Sequence, residues 1–596
     1  MFQSFDVTAR PEQGPPRLAT LRLELEKQGL DGFLVPRADA HQGEYVAARD
    51  ERLSWLTGFT GSAGFCAVLK EQAGVFIDGR YRTQVKRQVA EVFTPVPWPE
   101  VQLGGWLKEK LPKGGKVGFD PWPHATAQIA TMTKELADTG IELVQCDNLV
   151  DRIWQDQPAP PLQPVLPHAL EYAGETAVDK CSRLAQELSA AGQTAALITL
   201  PDSIMWLLNI RGADIPRNPV AHGFAILHAD ARVDLFMAPE KLGQLGDHLP
   251  ETVRHHASED FLQAVAALNG AVAVDRASLP QIVADALGER MVSTGDPCAL
   301  PKARKNTAEI AGSAAAHLRD GSAVVELLSW LDAQPAGSVT EIEVAKRLED
   351  LRRRDPVLRD ISFETISGTG ENGAVMHYRV TEESNSTLED GHLLVLDSGG
   401  QYQDGTTDIT RTIAIGTPGS EECAAFTRVL QGMIAMSRLR WPKGLAGRDI
   451  EAIGRMPLWL AGQDFNHGLG HGVGAYLSVH EGPQRLSRVS TVPLEVGMIL
   501  SNEPGYYREG AFGIRIENLL VVQRAPKLSS SDPEREMLCW RGLTYAPIDR
   551  RLILTEMLSQ AERDWINAYH AETLAKLRPH VSKNAQAWLD DVTRAI

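Results

Sequence analysis

Two β-rich runs, 393–396 and 406–415, are separated by Gly399, Gly400, Asp404 and Gly405; Asp397 ends the first and Asp408 lies inside the second. Such runs around a short glycine-containing connection predict a β-hairpin. Folded symmetrically about Tyr402–Gln403, the hairpin sets Asp397 opposite Asp408. Directly opposed residues lie within about 5.5 Å, and two carboxylates that close repel unless something positive stands between them. A hard divalent cation suits an oxygen-only pair. Two aspartates facing solvent are the other reading, and the hairpin alone does not choose.

Composition removes several classes of function. A chain of 596 residues exceeds one core, so several domains are expected. A formal net charge of −17 argues against nucleic acid or an anionic membrane as partner, since both demand basic patches. The six cysteines show no CxxC and no paired spacing, which predicts reduced thiols rather than a disulfide frame or a zinc finger. The first residues lack the apolar core of a signal peptide, and no apolar run approaches the roughly 20 residues that span a bilayer. A cytoplasmic protein is expected.

Taken in order, residues 1–16 read as a loose lead-in, and Arg17–Gln28 as a helix ending at Gly29. GFLVP (32–36) reads as a buried strand, and 55–69 and 74–81 as further strands and turns. A second segment repeats the plan: a helix ending at Gly192, a strand at 195–201, and WLLNIRG (206–212) with the Trp-to-Gly spacing of WLTGFTG (55–61). Two related α/β domains, 1–156 and 157–308, are therefore expected, joined near the proline-rich 155–164. Neither shows a cluster of metal-ligand residues.

A long helix over 307–333 opens the third part, followed by helices from Ser420 and over 449–460, the last expected to kink or break at Pro457. Strand-like runs at 391–415, 496–503 and 513–523 make this an α+β domain, 309–543. Residues 544–596 form an extension whose helix is signalled by Ser559 and Glu562 as a capping box.

More chemistry-bearing residues gather in the third part. His377 follows the glycine-rich SGTGENG; His467 and His471 lie in NHGLGHGVG, His480 in VHEGP, Glu503 in SNEPG, and Glu517 in GIRIEN on the same strand face as Arg515. The i, i+4 spacing of His467 and His471 fits a zinc-binding helix only superficially: the HExxH glutamate is missing and three glycines oppose a helix. The alternative is a dinuclear, carboxylate-rich site of Asp397, Asp408, His471, Glu503 and Glu517. Its oxygen-rich donors favour Mn²⁺, or Co²⁺ or Fe²⁺, over Zn²⁺. Two metals about 3.5–4 Å apart can hold a water between them and lower its pKa to about 7.

These residues and spacings resemble the metallopeptidase family that holds methionine aminopeptidase, prolidase and aminopeptidase P, with its pita-bread fold. FTGSAG (59–64), DGRY (78–81), KARKN (302–306), HLRDG (317–321), DSGGQYQDGTTDITRT, GHGVGAYLSVHEGP and SNEPGYY are similar to the long, three-domain aminopeptidase P group, as are LTYAPIDRRLI and DWINAYH in the extension. The resemblance implies two divalent metals on Asp397, Asp408, His471, Glu503 and Glu517. It implies hydrolysis of an N-terminal Xaa-Pro bond by a hydroxide held between them, with Glu503 as general base. His377 and His480 would bind substrate and stabilise charge in the reaction, His467 would line the same pocket, and Arg515 would orient a ligand. Peptides with proline second would be the substrates. The two N-terminal domains would wall the entrance and take part in a homodimer. Prolidase, limited to dipeptides, is the runner-up; a catalytically dead binding module would be marked by lost ligands, and none is lost here.

Overall fold

The computed structural model describes all 596 residues. The chain forms two compact units, one of Thr8–Ala299 and one of Leu300–Ile596 together with Met1–Val7.

Within the first unit, the helix Gly14–Gln28 buries Leu18, Leu21 and Leu25 and stops where Gly29 turns left-handed at φ +63°, a conformation that costs glycine nothing. The strands β1 (Gly32–Pro36), β2 (Phe65–Leu69), β3 (Ala73–Ile77), β4 (Thr94–Pro97), β5 (Gly115–Phe119) and β6 (Ile141–Gln145) lie in the order β4-β3-β2-β1-β5-β6. The second half supplies β7 (Ala195–Ile198), β8 (Phe224–His228), β9 (Val233–Phe236), β10 (Val253–His256), β11 (Val272–Val274) and β12 (Met291–Ser293). Their order is β10-β9-β8-β7-β11-β12, the same plan shifted by six. Pairing senses repeat as well: β1–β2 and β7–β8 are antiparallel, β1–β5 and β7–β11 parallel. The faint Trp-to-Gly repeat thus marks a real duplication. Its two tryptophans sit on short helices, Arg52–Thr57 and Pro201–Leu207, although extended structure was expected around Trp55.

In the second unit the chain's first residues are not loose. Phe5 is buried with Ile342 and Tyr378, the Phe2 amide donates to Glu349, and the Thr365 amide donates to the Gln3 side chain. Apolar burial, worth about 1.5–3 kcal/mol for a phenylalanine, outweighs the turn-rich local sequence. The helices Thr307–Asp332 and Ser420–Ser437 form as expected, the first under an Asn306–Glu309 capping box. The helix Gly447–Trp459 runs through Pro457 without ending there. Pro457 stands in the last turn, where its missing N–H forfeits a single bond.

Three sheets frame the site. Ile366–Thr369, Leu393–Ser398 and Ile409–Ala414 form one antiparallel sheet. A six-stranded sheet carries Gly470–Gly472, Glu481–Leu486, Ile499–Asn502 and Asn518–Arg524. A two-stranded ribbon pairs Gly505–Arg508 with Phe512–Arg515. The expected single strand through Arg515 and Glu517 is broken between them, because residues up to Arg515 belong to the ribbon and those from Asn518 to the large sheet. In the extension, the Ser559–Glu562 capping box is present, and the helix Gln560–Leu577 buries Ile566 and Leu577.

Candidate metal centre

The hairpin forms, with a different register from the symmetric one. Asp397 pairs with Thr410, and Tyr402 with Gly405, so the turn centres on Gln403–Asp404. Two tertiary contacts draw the turn there: Asp404 pairs with Arg319, and Gly405 lies against the Thr307–Asp332 helix, where a Cβ would come within 2.8 Å of Ser313 Cα. The ladder also breaks after Ser398. A Cβ on Gly399 would stand 1.9 Å from the Thr407 carbonyl oxygen, so only glycine allows the two arms to approach there. Asp408 consequently falls just outside the strand that begins at Ile409.

The large sheet brings the other groups to this hairpin. Glu517 follows the ribbon and is tied to the hairpin twice: its amide donates to the Thr410 carbonyl at 3.1 Å, and the Thr410 hydroxyl donates to Glu517 Oε2 at 2.8 Å. Ligand atoms of Asp408, His471 and Glu517 all lie within 4.8 Å of one another. His471 Nε2 is 3.5 Å from Asp408 Oδ2 and 3.4 Å from Glu503 Oε1. Ser501 joins the last two elements: its hydroxyl accepts from the His471 amide at 2.9 Å and donates to Glu503 Oε1 at 3.0 Å. His471 Nδ1 faces the Gly472 carbonyl at 2.9 Å, which makes Nδ1 the protonated nitrogen and leaves the Nε2 lone pair facing the carboxylates.

Arg515 donates to Asp397 Oδ2 at 2.7 Å and to the Tyr507 hydroxyl at 2.7 Å. Tyr507 in turn lies 3.0 Å from His467 Nε2, and His467 Nδ1 faces the Gly468 carbonyl at 2.7 Å. The donors therefore run in one direction, from Arg515 through Tyr507 to His467. The His480 ring meets the His471 ring edge to face, with centroids 4.3 Å apart. His377, half-buried, stands in the turn after Gly370–Ala374, a 3-10 segment that packs on the Phe512–Arg515 strand. Tyr507, Ser501 and Thr410 were not singled out in the sequence. SNEPGYY and TDIT do contain them, but hydroxyls next to ligand positions carry no spacing signal of their own.

Electrostatically the centre is in deficit. Burial first, then the charges of Asp397 and Glu503, push the Asp408 carboxyl well above its usual range; burial and Asp408 do the same to Glu517. Asp397 Oδ1, Asp408 Oδ1 and Glu517 Oε1 are buried without a hydrogen-bond partner. A buried carboxylate oxygen with no donor is costly, and the grouping of Asp408, Glu517 and the His471 imidazole, with the Asp397 charge acting on both carboxylates, fits divalent cations. The donor set is that of a hard metal.

The first unit also brings Asp39, Asp50 and His222 together within 4.8 Å, a grouping the sequence did not reveal. Its charges are answered internally. Asp39 Oδ1 accepts from the amides of His41 and Gly43, His222 Nε2 lies 3.1 Å from Asp39 Oδ2, and Arg52 pairs with Asp50 at 2.8 Å.

Known proteins match this chain along its whole length. Residues 311–524 match the family model of metallopeptidase family M24, and 536–596 the C-terminal region of peptidase M24. Residues 17–153 and 156–309 each match a creatinase/prolidase N-terminal domain. Aminopeptidase P2 of Arabidopsis thaliana is 37% identical over 95% of this chain and 86% of its own. A probable Xaa-Pro aminopeptidase P of Laccaria bicolor is 36% identical over 96% and 92%. The crystal structure of X-prolyl aminopeptidase from Caenorhabditis elegans, described as a cytosolic enzyme with a di-nuclear active site, superposes with a TM-score of 0.93 at 31% identity, covering 98% of this chain and 100% of that one. No helix is long and apolar enough to cross a membrane.

Proposed function

The chain belongs to metallopeptidase family M24, in its Xaa-Pro aminopeptidase P branch, and from that premise we propose how its residues carry out the reaction. It is a metal-dependent aminopeptidase that removes the first residue from peptides with proline in second position. The observation that supports this most directly is the convergence of four carboxylates and one imidazole with three carboxylate oxygens left without donors.

Asp397, Asp408, His471, Glu503 and Glu517 would hold two divalent ions, with Mn²⁺ the best match to oxygen-rich donors. When bound, such a pair supplies Lewis-acid polarisation of the scissile carbonyl and lowers the pKa of water. The chain's own groups do the rest. Arg515 occupies Asp397 Oδ2 and so aims Oδ1 inward; Thr410 does the same for Glu517, and Ser501 fixes Glu503 through Oε1, the oxygen 3.4 Å from His471 Nε2. Glu503, whose Oε2 is left to accept a proton, acts as general base. His480, against His471, and His377 bind substrate and donate to the charge that develops on the carbonyl oxygen. His467, through Tyr507 and Arg515, lines the same side. We place the enzyme in the cytoplasm, as the Caenorhabditis elegans relative is cytosolic, and as a homodimer, to be checked by sedimentation.

The test is product mass after incubating metal-stripped protein, with and without Mn²⁺, on peptides beginning Arg-Pro-Pro, Arg-Ala-Pro, and the dipeptide Arg-Pro. Release of one arginine from the Arg-Pro-Pro peptide alone, and only with metal, is the expected result. Cleavage of the dipeptide alone would make the protein a prolidase. No cleavage with Mn²⁺ bound would end the enzymatic reading.

A further inference from the structure

We propose that a buried ion pair, Asp320 with Arg352, positions the metal centre by gripping the residue beside each hairpin aspartate, Ser398 next to Asp397 and Thr407 next to Asp408. The inference rests on the reading of those aspartates as metal ligands.

Asp320 lies on the Thr307–Asp332 helix, inside the HLRDG stretch that the chemistry leaves unused, and Arg352 ends the Glu341–Arg352 helix. Both side chains are wholly shielded from solvent. The guanidinium meets the carboxylate side-on: Nε donates to Oδ1, and Nη2 to Oδ2 at 3.1 Å. A pair this buried is expensive to desolvate and is weak evidence of a stabilising role. Its remaining contacts show what it holds. Arg352 Nη2 donates to the Ser398 hydroxyl at 3.0 Å. The Thr407 hydroxyl donates to Asp320 Oδ2 at 2.7 Å, and the Tyr402 hydroxyl to Oδ1 at 3.0 Å. One ion pair thus touches the hairpin at its first arm, its tip and its second arm.

Such a grip is needed because the ladder does not supply it. The regular pairing is interrupted between Ser398–Ile409 and Gln401–Thr406, and Asp408 stands in that gap. Thr407 makes up the difference with both sides of its hydroxyl, since the same oxygen that donates to Asp320 accepts from the Gly400 amide at 2.8 Å. Fixing Ser398 and Thr407 against one rigid charge pair fixes the distance between the neighbouring carboxylates, and that distance sets whether two ions fit. Asp320, Arg352, Ser398 and Thr407 are positioning residues; none faces the substrate in this reading.

Replacing either charge would strand the other in the interior, so the test uses the hydroxyls. Thr407→Val keeps the shape and removes the donor; Thr407→Ser keeps the donor. Metal-stripped full-length protein is titrated with Mn²⁺ by calorimetry, and the Mn²⁺–Mn²⁺ coupling is read by electron paramagnetic resonance. Wild type and Thr407→Ser are expected to bind two ions with a coupled signal. Thr407→Val is expected to lose about 10- to 100-fold in affinity for one ion, the range for groups that orient metal ligands, and with it the coupled signal at stoichiometric Mn²⁺. Where Thr407→Val does not fold, Ser398→Ala gives the same readout from the other arm. Two ions bound by the valine variant with wild-type affinity and coupling would overturn the proposal, whatever its melting temperature; so would a serine variant as impaired as the valine one. Failure of wild type to bind two ions would instead overturn the ligand assignment on which the proposal stands.

Discussion

Two of the places where the second unit buries carboxylates balance them in opposite ways. Glu481, between β-paired Gly472 and the cis Gly482–Pro483 bond, is met by two ammonium groups from KARKN, Lys302 at 2.8 Å and Lys305. All three side chains are almost fully shielded. At the metal centre four carboxylates share one guanidinium and one imidazole, and three of their oxygens have no donor. Asp408 and Glu517 oxygens lie within 4.8 Å, a separation at which two like charges repel by about 3 kcal/mol at an effective dielectric constant near 20. A carboxylate that the chain answers with its own cations closes a structure. Carboxylates left unanswered hold a place for cations from outside. Glu481 is next to His480, so the closed cluster also fixes one wall of the open one.

Glu503→Gln gives the largest effect. It removes a proposed ligand and the proposed general base together, and kcat/KM on an Arg-Pro-Pro peptide is expected to fall by about 10³-fold or more, about 4 kcal/mol of barrier. An active glutamine variant would place the base elsewhere. Glu481→Gln comes next and acts on stability: it leaves two buried ammoniums facing an amide, and urea unfolding should show a loss of about 3–5 kcal/mol. Unchanged stability there would break the comparison at its closed end. Asp408→Asn should do the reverse in chelator. Relieving repulsion is expected to raise the stability of the metal-free protein by about 1–3 kcal/mol, while the same change in Mn²⁺ abolishes the gain.

The pH dependence of the metal-free protein sharpens the same point. Asp408 and Glu517 are held above their ordinary values of 3.8 and 4.5 by burial and by neighbouring carboxylates. The folded state therefore binds more protons than the unfolded one, so stability is lost as pH rises from about 4 towards the raised values. Thermal unfolding of stripped protein across that range should show a falling melting temperature, and saturating Mn²⁺ should remove the slope.

Much of this centre could be read from the sequence because metal chemistry restricts residue type. Asp397 and Glu503 end apolar runs, Asp408 and Glu517 lie inside β-rich ones and His471 sits in a glycine-rich stretch, and the family resemblance groups them as the proposed ligands. The duplication of the first unit was legible for a similar reason, since Gly29 and Gly192 must both take the left-handed conformation that ends a helix. What the sequence concealed depended on partners far away in the chain. The hairpin turn moved because Asp404 found Arg319 and Gly405 found Ser313. The strand through Arg515 broke because two different sheets claimed its halves, and residues 1–7 are ordered by Glu349 and Thr365. Hydroxyls such as Thr407 and Ser501 take their meaning only from those tertiary neighbours.

The smallest expected effect separates holding metal from handling substrate. Tyr507 accepts from Arg515 and faces His467 Nε2. Tyr507→Phe keeps the ring and leaves one buried Arg515 N–H without its acceptor, a cost of about 1–3 kcal/mol. Arg515 still grips Asp397 through its other nitrogen, so Mn²⁺ stoichiometry should stay at wild type while kcat/KM falls by about 10-fold. A drop in stoichiometry would move Tyr507 to the metal-holding side of the site. Burial pushes the Tyr507 hydroxyl up to about 12, so it remains a donor to His467 throughout the neutral and mildly alkaline range. The alkaline limb of the pH–rate profile below pH 10 should therefore be the same in wild type and in Tyr507→Phe, and a limb that vanished with the hydroxyl would show that Tyr507 itself titrates there.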